Sequence, residues 1–248
     1  MEVTLIDKLG SDLTVVNAAR VSFDKESDWE WITDPEAKFP DADELIDPDS
    51  RTFYFHDKKK TLKAGDEKLI HFLAKHNHWS PFAHPQIQLR IKAPIFVARQ
   101  LAKHQVGLVW NEISRRYVDN PPEFFFPDKW RKKSPDKKQG SYEDEFVDFA
   151  EQLHIESLVK TVAQTYEAMI NMGVCAEQAR MILPQNMYTE WYWTGSLFAY
   201  ARVCGLRLKK DTQYETRLIA QRINDVIEPQ FPISWKAFQE NFLVSTNK

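Results

Sequence analysis

The sequence predicts a mixed α+β domain. A short apolar strand pattern opens the chain, a second segment alternates polar and apolar residues at 86–91, and the stretch beyond Tyr142 reads as successive helices. At 248 residues, 43% of them hydrophobic and with 8 Trp and 16 Phe, the chain has ample material for one large core. It is read as a single domain over residues 1–248 with a long polar insertion at 23–65.

In chain order, residues 3–6 form a short strand, and Asp12 is placed to cap a helix over 13–20 with Val15, Val16 and Ala19 inward. The insertion at 23–65 is rich in Asp, Glu, Lys and Pro. Trp29, Trp31, Phe53, Tyr54 and Phe55 are expected to pin parts of it to the core. Leu69, Ile70, Phe72 and Leu73 give helical spacing over 66–76, which the His78–Trp79–Ser80–Pro81 run breaks. In the strand at 86–91, Ile87, Leu89 and Ile91 share one side. Pro94 suits the first position of a helix that runs to about residue 105 and is ended by Gly107. Segments 110–117 and 123–126 read as extended, and 130–140 as a Lys- and Pro-rich surface loop. Helices are predicted over 142–172, then to Leu183 (stopped by Pro184), over 196–204 (ended by Gly205), and over 212–227 and 234–242. No internal repeat or low-complexity segment interrupts this order.

A formal charge of −3 argues against duplex nucleic acid as a partner. No run of about 18 apolar residues predicts a membrane span. The first residues lack the basic start of a secretory signal. Cys175 and Cys204 form no metal-type cluster, so a reducing, cytoplasmic setting is expected, with no metal site. With only 7 Gly and neither GxGxxG nor GxxxxGK[ST], any phosphate must be held by side chains and helix ends.

The stretch from Ala98 to Tyr117 concentrates chemistry. Arg99, Gln100, Lys103 and His104 share one arc of the predicted helix, opposite Val97, Ala98, Leu101 and Ala102. In an extended 110–117 segment, Glu112, Ser114 and Arg116 point one way and Asn111, Ile113, Arg115 and Tyr117 the other. Arg116 is suited to a phosphate and Ser114 to donating beside it. Glu112 can accept from a sugar hydroxyl or simply hold Arg116, and the strand alone leaves a nucleotide face and an ordinary ion pair equally open. His78 and His84, around Pro81, suit capping better than metal binding. Arg180 can pair with Glu177 one turn back, and Arg207 follows the predicted helix end at Gly205.

These residues fall into a known pattern. The run Lys92–Ala93–Pro94–Ile95–Phe96–Val97–Ala98–Arg99–Gln100, then His104, then Asn111–Glu112–Ile113–Ser114–Arg115–Arg116–Tyr117 resembles the flavin-dependent thymidylate synthases. Ala18–Ala19–Arg20–Val21–Ser22–Phe23, the Lys75–His84 stretch and Ala179–Arg180–Met181–Ile182–Leu183–Pro184 resemble them too, in the same order. The resemblance implies an antiparallel sheet with a helical bundle, and a homotetramer with sites at subunit contacts. It implies FAD reduced by NADPH, and methyl transfer from methylenetetrahydrofolate to C5 of dUMP without a cysteine nucleophile. It places Gln100, Ser114, Arg116 and Arg180 on the phosphate and sugar of dUMP, with Glu112 beside them, and Arg207 on the uracil edge. Arg207, Ser114 and Glu112 are thereby the residues expected to serve catalysis. Ser22, His78, Ser80, Lys103, His104, Gln105 and Glu112 fall on FAD.

The chain departs from that pattern in two places. The family signature is Arg-His-Arg, seven residues, then Ser; here Lys103–His104–Gln105 precedes Ser114 by eight residues. Lys lacks the fork of Arg. Further family flavin positions read Ser196, Phe198, Arg202 and Asp211, which implies that FAD is held differently, through Arg202 or Lys209, and more weakly. The competing readings are alkylation of another pyrimidine nucleotide such as dCMP, a nucleotide-binding protein that has lost catalysis, and a cysteine-dependent synthase. Arg207 speaks for an oxo edge over an amino one, because Arg only donates.

Overall fold

Period-two alternation builds the frame of the computed structural model, which describes residues 1–33, 58–118, 120–134, 141–147 and 152–243. Four strands, β1 (Glu2–Leu9), β2 (Glu30–Thr33), β3 (Lys58–Thr61) and β4 (Gln86–Pro94), are interspersed with α1 (Asp12–Arg20), α2 (Ala64–Lys75) and 3-10 turns at Val21–Phe23 and Ser80–Ala83. Then come α3 (Ile95–Leu101), β5 (Leu108–Glu112), β6 (Arg131–Lys133), β7 (Ser141–Phe146), α4 (Gln152–Asn171) and α5 (Ala176–Ala179). A 3-10 turn at Arg180–Ile182 leads to β8 (Tyr188–Ser196), α6 (Leu197–Arg207), α7 (Tyr214–Ile227) and α8 (Pro232–Phe238). The α+β expectation holds. The main sheet is antiparallel in the order β1-β4-β8-β5, and β2-β3 and β6-β7 form separate two-stranded ribbons.

The centre of the sheet is the β4/β8 pair, and both strands bury alternate residues. Ile87, Leu89, Ile91 and Ala93 face inward from β4, and Thr189, Trp191, Trp193 and Gly195 from β8, in register with one another. The opposite face carries Arg90, Lys92, Glu190 and Thr194, so the sheet is apolar on one side only. Tyr200 of α6 seals the inner face: its hydroxyl donates to the Trp193 carbonyl at 2.6 Å. Trp110 of β5 stacks on Trp191 with centroids 4.2 Å apart. α7 contributes Ile219, Ile223 and Ile227 to the same core, and α8 contributes Trp235 and Phe238.

Several elements differ from expectation for identifiable reasons. Strand β8 is not among the expected elements: its inward positions Thr189, Trp191, Trp193 and Gly195 mix a polar residue and a glycine with the two tryptophans. The strand expected at 86–91 alternates as expected but runs on to Pro94, so Pro94 ends it and precedes α3 as its N-cap. α3 stops at Leu101, and Lys103, His104 and Gln105 lie in the turn that follows. The shared arc expected for Gln100, Lys103 and His104 is therefore not a helix face. Extension from Trp110 ends at Glu112, where pairing with β8 ends, and Ser114 and Arg116 enter a turn in which the Tyr117 N–H donates to the Ser114 carbonyl.

The predicted helix over 142–172 begins only at Gln152, because Ser141–Phe146 pairs with Arg131–Lys133 in the segment expected to be a loop. Gly205 does not end α6. It packs against Phe242, and the helix runs on to Arg207. Ser11, not Asp12, is the N-cap of α1. Asp12 is buried and accepts from the backbone N–H groups of Ile233 at 3.0 Å and Ser234 at 2.9 Å, capping α8 at the far end of the chain.

At the edges of the long insertion, β2 and β3 pair as a ribbon. Trp29 packs on the core, but Trp31 is exposed beneath Lys60. Phe53, Tyr54 and Phe55 lie outside the described residues. Among the described residues no helix is long and apolar enough to cross a membrane.

The β8 to β5 approach is tight at Gly195, where an added Cβ would lie 2.5 Å from the Gly107 carbonyl oxygen. Gly195→Ala is expected to cost about 1–3 kcal/mol through overpacking against backbone. Urea unfolding should show a lower midpoint at unchanged slope.

Candidate active site

Two helix ends meet at the first polar cluster. Arg207, in the last turn of α6, donates from Nε to His104 Nε2 at 2.9 Å and from Nη2 to the Gln100 carbonyl at 3.0 Å. Arg207 is half-buried, and burial pulls its pKa down, although a guanidinium keeps its charge. Its bond requires His104 Nε2 to be unprotonated, which leaves Nδ1–H as the imidazole donor. Burial first, then the positive charges of Arg207 and Arg202, pull the His104 pKa from 6.5 to about 4. His104 is thus neutral at physiological pH.

The Gln100 side chain is held at both atoms. Its Oε1 accepts from Thr216 at 3.1 Å, and its Nε2 donates to Gln213 Oε1 at 2.5 Å. A cavity of about 730 Å³ opens here, with Gln100, Arg131, Arg207, Lys209 and Tyr214 in its wall. Arg207 on this wall is half-buried and Gln213 is exposed, so a ligand meets fixed donors at the mouth of a pocket that stays open to solvent.

A second cluster lies at the end of β5. Glu112 Oε1 accepts from Thr189 at 2.5 Å, and Oε2 accepts from Trp110 Nε1 at 3.1 Å. A cavity of about 420 Å³ is lined here by Lys92, Glu112, Arg115, Arg180, Tyr188 and Glu190. Arg180 and Glu177 both border it, and Arg180 opens the 3-10 turn rather than sitting inside a long helix. Arg115, expected to point away from Glu112, is part of the same wall and donates to Asn120. Arg116 donates from Nε to Ser114 Oγ at 3.2 Å and lies over the Tyr117 ring. Neither the Glu112–Arg116 ion pair nor the one-sided Glu112, Ser114, Arg116 face is what forms, since the strand ends at Glu112.

The structure therefore joins Gln100 and Arg207 around one cavity, with His104 bonded to Arg207, and Glu112 and Arg180 around another, with no residue shared between the two walls. Ser22, His78, Ser80, Lys103, Gln105 and Arg202 are exposed. Ser22 and Ser80 sit on 3-10 turns, and Trp79 lies against Phe198 with centroids 5.9 Å apart. His78 neighbours Phe72 and His76, and among the described residues no group of three metal-type ligands assembles. Four residues absent from the sequence expectations belong to this cluster: Arg131 and Gln213 line the first cavity, and Glu215 and Thr216 bond to Gln213 and Gln100. Gln213 and Thr216 are three apart at the start of α7, a spacing that places both near one face.

Cys204 is fully buried in α6, and burial pushes its thiol pKa far up. Cys175 is exposed and precedes α5 as its N-cap, rather than lying within a helix as expected.

Comparison with known proteins places these features in context. The family described as thymidylate synthase complementing protein matches residues 4–233. A flavin-dependent thymidylate synthase of Thermus thermophilus is 33% identical over 241 residues, covering 97% of this chain and 76% of that protein. One from Kosmotoga olearia is 32% identical over 240 residues, covering 95% of this chain and 89% of that protein. The solved structure of a UMP/dUMP methylase, PolB, from Streptomyces cacaoi bound with 5-Br dUMP matches with a TM-score of 0.76 at 26% identity, covering 98% of this chain and 97% of that one.

Because its Nε2 accepts from Arg207, His104 should titrate with a midpoint near 4 in an NMR pH series. A midpoint near 6.5 would break that assignment. The folded-state pKa lies below the ordinary value, so the neutral imidazole's contribution to stability is complete above about 6.5 and is lost as pH falls toward about 4. His104→Asn should flatten this part of the stability profile.

Proposed function

Because the chain belongs to the thymidylate synthase complementing protein family, that of the flavin-dependent thymidylate synthases, we propose that it is a methyltransferase that makes dTMP from dUMP. The one-carbon unit comes from methylenetetrahydrofolate. When bound, FAD reduced by NADPH supplies the hydride. The observation that carries the reading is the fixed Arg207 guanidinium at the wall of an open cavity, held by His104 and the Gln100 carbonyl.

Two of the five N–H groups of Arg207 are engaged, and three remain for a ligand. They suit the oxo edge of uracil, where negative charge grows as C5 becomes nucleophilic. Neutral His104 keeps the cation from being shared with a second positive charge. Gln100 contributes to the same wall and binds the nucleotide there. Ser114, Arg116 and Arg180 provide hydroxyl and guanidinium groups for the phosphate, with Glu112 beside them. Burial removes Cys204 from consideration as a nucleophile.

The donors offered to FAD fit a dinucleotide. Exposed hydroxyl, imidazole, ammonium and guanidinium groups come from Ser22, His78, Ser80, Lys103 and Arg202, Gln105 adds an amide, and Trp79 adds an apolar wall. The Glu112 carboxylate and the His104 Nδ1–H complete the set. These groups are drawn from separate elements, and the two nucleotide-binding clusters border different cavities. Large apolar side chains are exposed beside them: Phe23 at 76%, Val106 at 71% and Met181 at 78%. Both facts support completion of each site by neighbouring copies in a homotetramer. The free thiols of Cys175 and Cys204 suit the reducing cytoplasm. Residues 1–248 act as a single domain in this reading.

The purified protein should be yellow, bleach with NADPH and form dTMP from dUMP and methylenetetrahydrofolate. A colourless protein that binds dUMP would point instead to a nucleotide-binding module, and turnover of dCMP alone to the other pyrimidine. Arg207→Ala is expected to lower kcat by about 10²–10³-fold with flavin retained. A near-normal rate would remove Arg207 from the reaction. Cys175→Ser should turn over at the wild-type rate, and an inactive but folded variant would revive a thiol mechanism.

A further inference from the structure

Behind Gln100 stands a chain of polar groups whose direction is set from one end. Arg131 of β6 donates from Nη2 to Glu215 Oε1 at 2.6 Å, and both side chains are largely buried. Arg131 is itself braced by Ser141 Oγ at 2.8 Å and by the Tyr214 ring, 4.5 Å below the guanidinium carbon. Glu215 Oε2 accepts from Gln213 Nε2 at 3.1 Å. Gln213 Oε1 accepts from Gln100 Nε2 at 2.5 Å, and Gln100 Oε1 accepts from the Thr216 hydroxyl at 3.1 Å.

An amide side chain has a donor end and an acceptor end of almost the same shape, so only its partners decide which way it faces. The carboxylate of Glu215 can only accept. It must therefore draw the NH₂ end of Gln213, which turns the Gln213 carbonyl toward Gln100. Gln100 then has to present its own NH₂ group to Gln213 and its carbonyl to Thr216. One Nε2–H of Gln100 remains uncommitted in the cavity wall. Reversal of Gln213 would set two NH₂ groups face to face unless Gln100 also turned over, and the cavity would then meet a carbonyl oxygen where an anionic ligand needs a donor.

We propose that Glu215 is a positioning residue for the nucleotide: anchored by Arg131, it fixes the direction of the Gln213–Gln100 amide relay and thereby the donor that Gln100 offers to dUMP. The inference rests on the reading that the cavity bearing Gln100 and Arg207 takes that substrate. Glu215 touches no ligand itself. Its effect belongs to substrate binding and not to the chemical step.

The test uses the flavin-loaded enzyme and three readouts: dUMP affinity by calorimetry, the KM and kcat for dUMP, and the thermal midpoint. Glu215→Gln keeps the shape but admits either amide direction. It is expected to raise Kd and KM for dUMP about tenfold, with kcat at saturating dUMP changed by less than about threefold. Gln213→Leu leaves the Arg131–Glu215 pair intact, removes the relay, and should show the same split. The double exchange Gln213→Glu with Glu215→Gln moves the carboxylate one step along the chain. The group at 213 is then acceptor-only toward Gln100, the amide at 215 can donate to it and accept from Arg131, and dUMP affinity should return. A purely structural role for Glu215 would not be rescued by moving its charge.

Unchanged dUMP affinity in folded Glu215→Gln or Gln213→Leu overturns the proposal, as does a double exchange that keeps the wild-type thermal midpoint but the defect of the single variant. Failure of the wild-type enzyme to bind dUMP is a different result. It would overturn the reading of the cavity before any variant is made.

Discussion

The antiparallel register of β4 and β8 is the constraint on which the site depends. Gln86 pairs with Ser196 and Pro94 with Tyr188, so the helices that follow the two strands start from opposite ends of the pair. α3 has 7 residues and α6 has 11. At about 1.5 Å per residue they reach roughly 10 and 16 Å, against roughly 30 Å for a nine-residue strand. The last turn of α6 reaches the last turn of α3, where Arg207 bonds the Gln100 carbonyl. The continuation of α6 through Gly205 is part of this fit. A helix ended at that glycine would leave Arg207 short of its partner.

The meeting of two helix C-termini also explains the electrostatics of the cluster. Carbonyl oxygens at the ends of α3 and α6 favour a cation, and Arg207 is that cation. His104 sits in the turn just beyond α3 and receives the Arg207 Nε–H. A protonated imidazole there would face a guanidinium with no carboxylate between them, so burial and charge act in the same direction on its pKa. The result is one fixed positive group with spare donors, oriented before any ligand arrives. Such preorganisation is what stabilises charge that appears only during reaction.

Local patterns carried part of this into the sequence. Ile87, Leu89 and Ile91 announced an inward face, and Val15, Val16 and Ile70 occupy the core as their helical spacing implies. The fate of Asp12 was not legible: its capping chemistry was evident, but the helix it caps begins 220 residues later. β8 was hidden because its inward positions include Thr189 and Gly195, residues that look unlike a core until Trp191 and Trp193 are paired with Ile91 and Leu89. The stretch 98–117 stood out by its chemistry alone, but only the resemblance to a family joined it to Arg207, since the bond that makes Gln100 and Arg207 neighbours spans more than 100 positions. Arg131 and Glu215 had no such signal. They are 84 positions apart, and neither carries a motif.

Placement of the variant signature gives the departure from the family pattern a physical sense. Lys103 and Gln105 lie in the exposed turn between α3 and Gly107, and Gly107 uses a φ of +76° to re-enter the sheet. A turn in that position can absorb an added residue before Ser114 without disturbing β5, whose pairing with β8 fixes Leu108 through Glu112. The charge absent from position 105 has a neighbour able to supply it. Arg202, five residues before Arg207 in α6, adds its positive charge to burial and to Arg207 in lowering the His104 pKa. An arginine there keeps a positive charge beside the turn that reads Lys103–His104–Gln105.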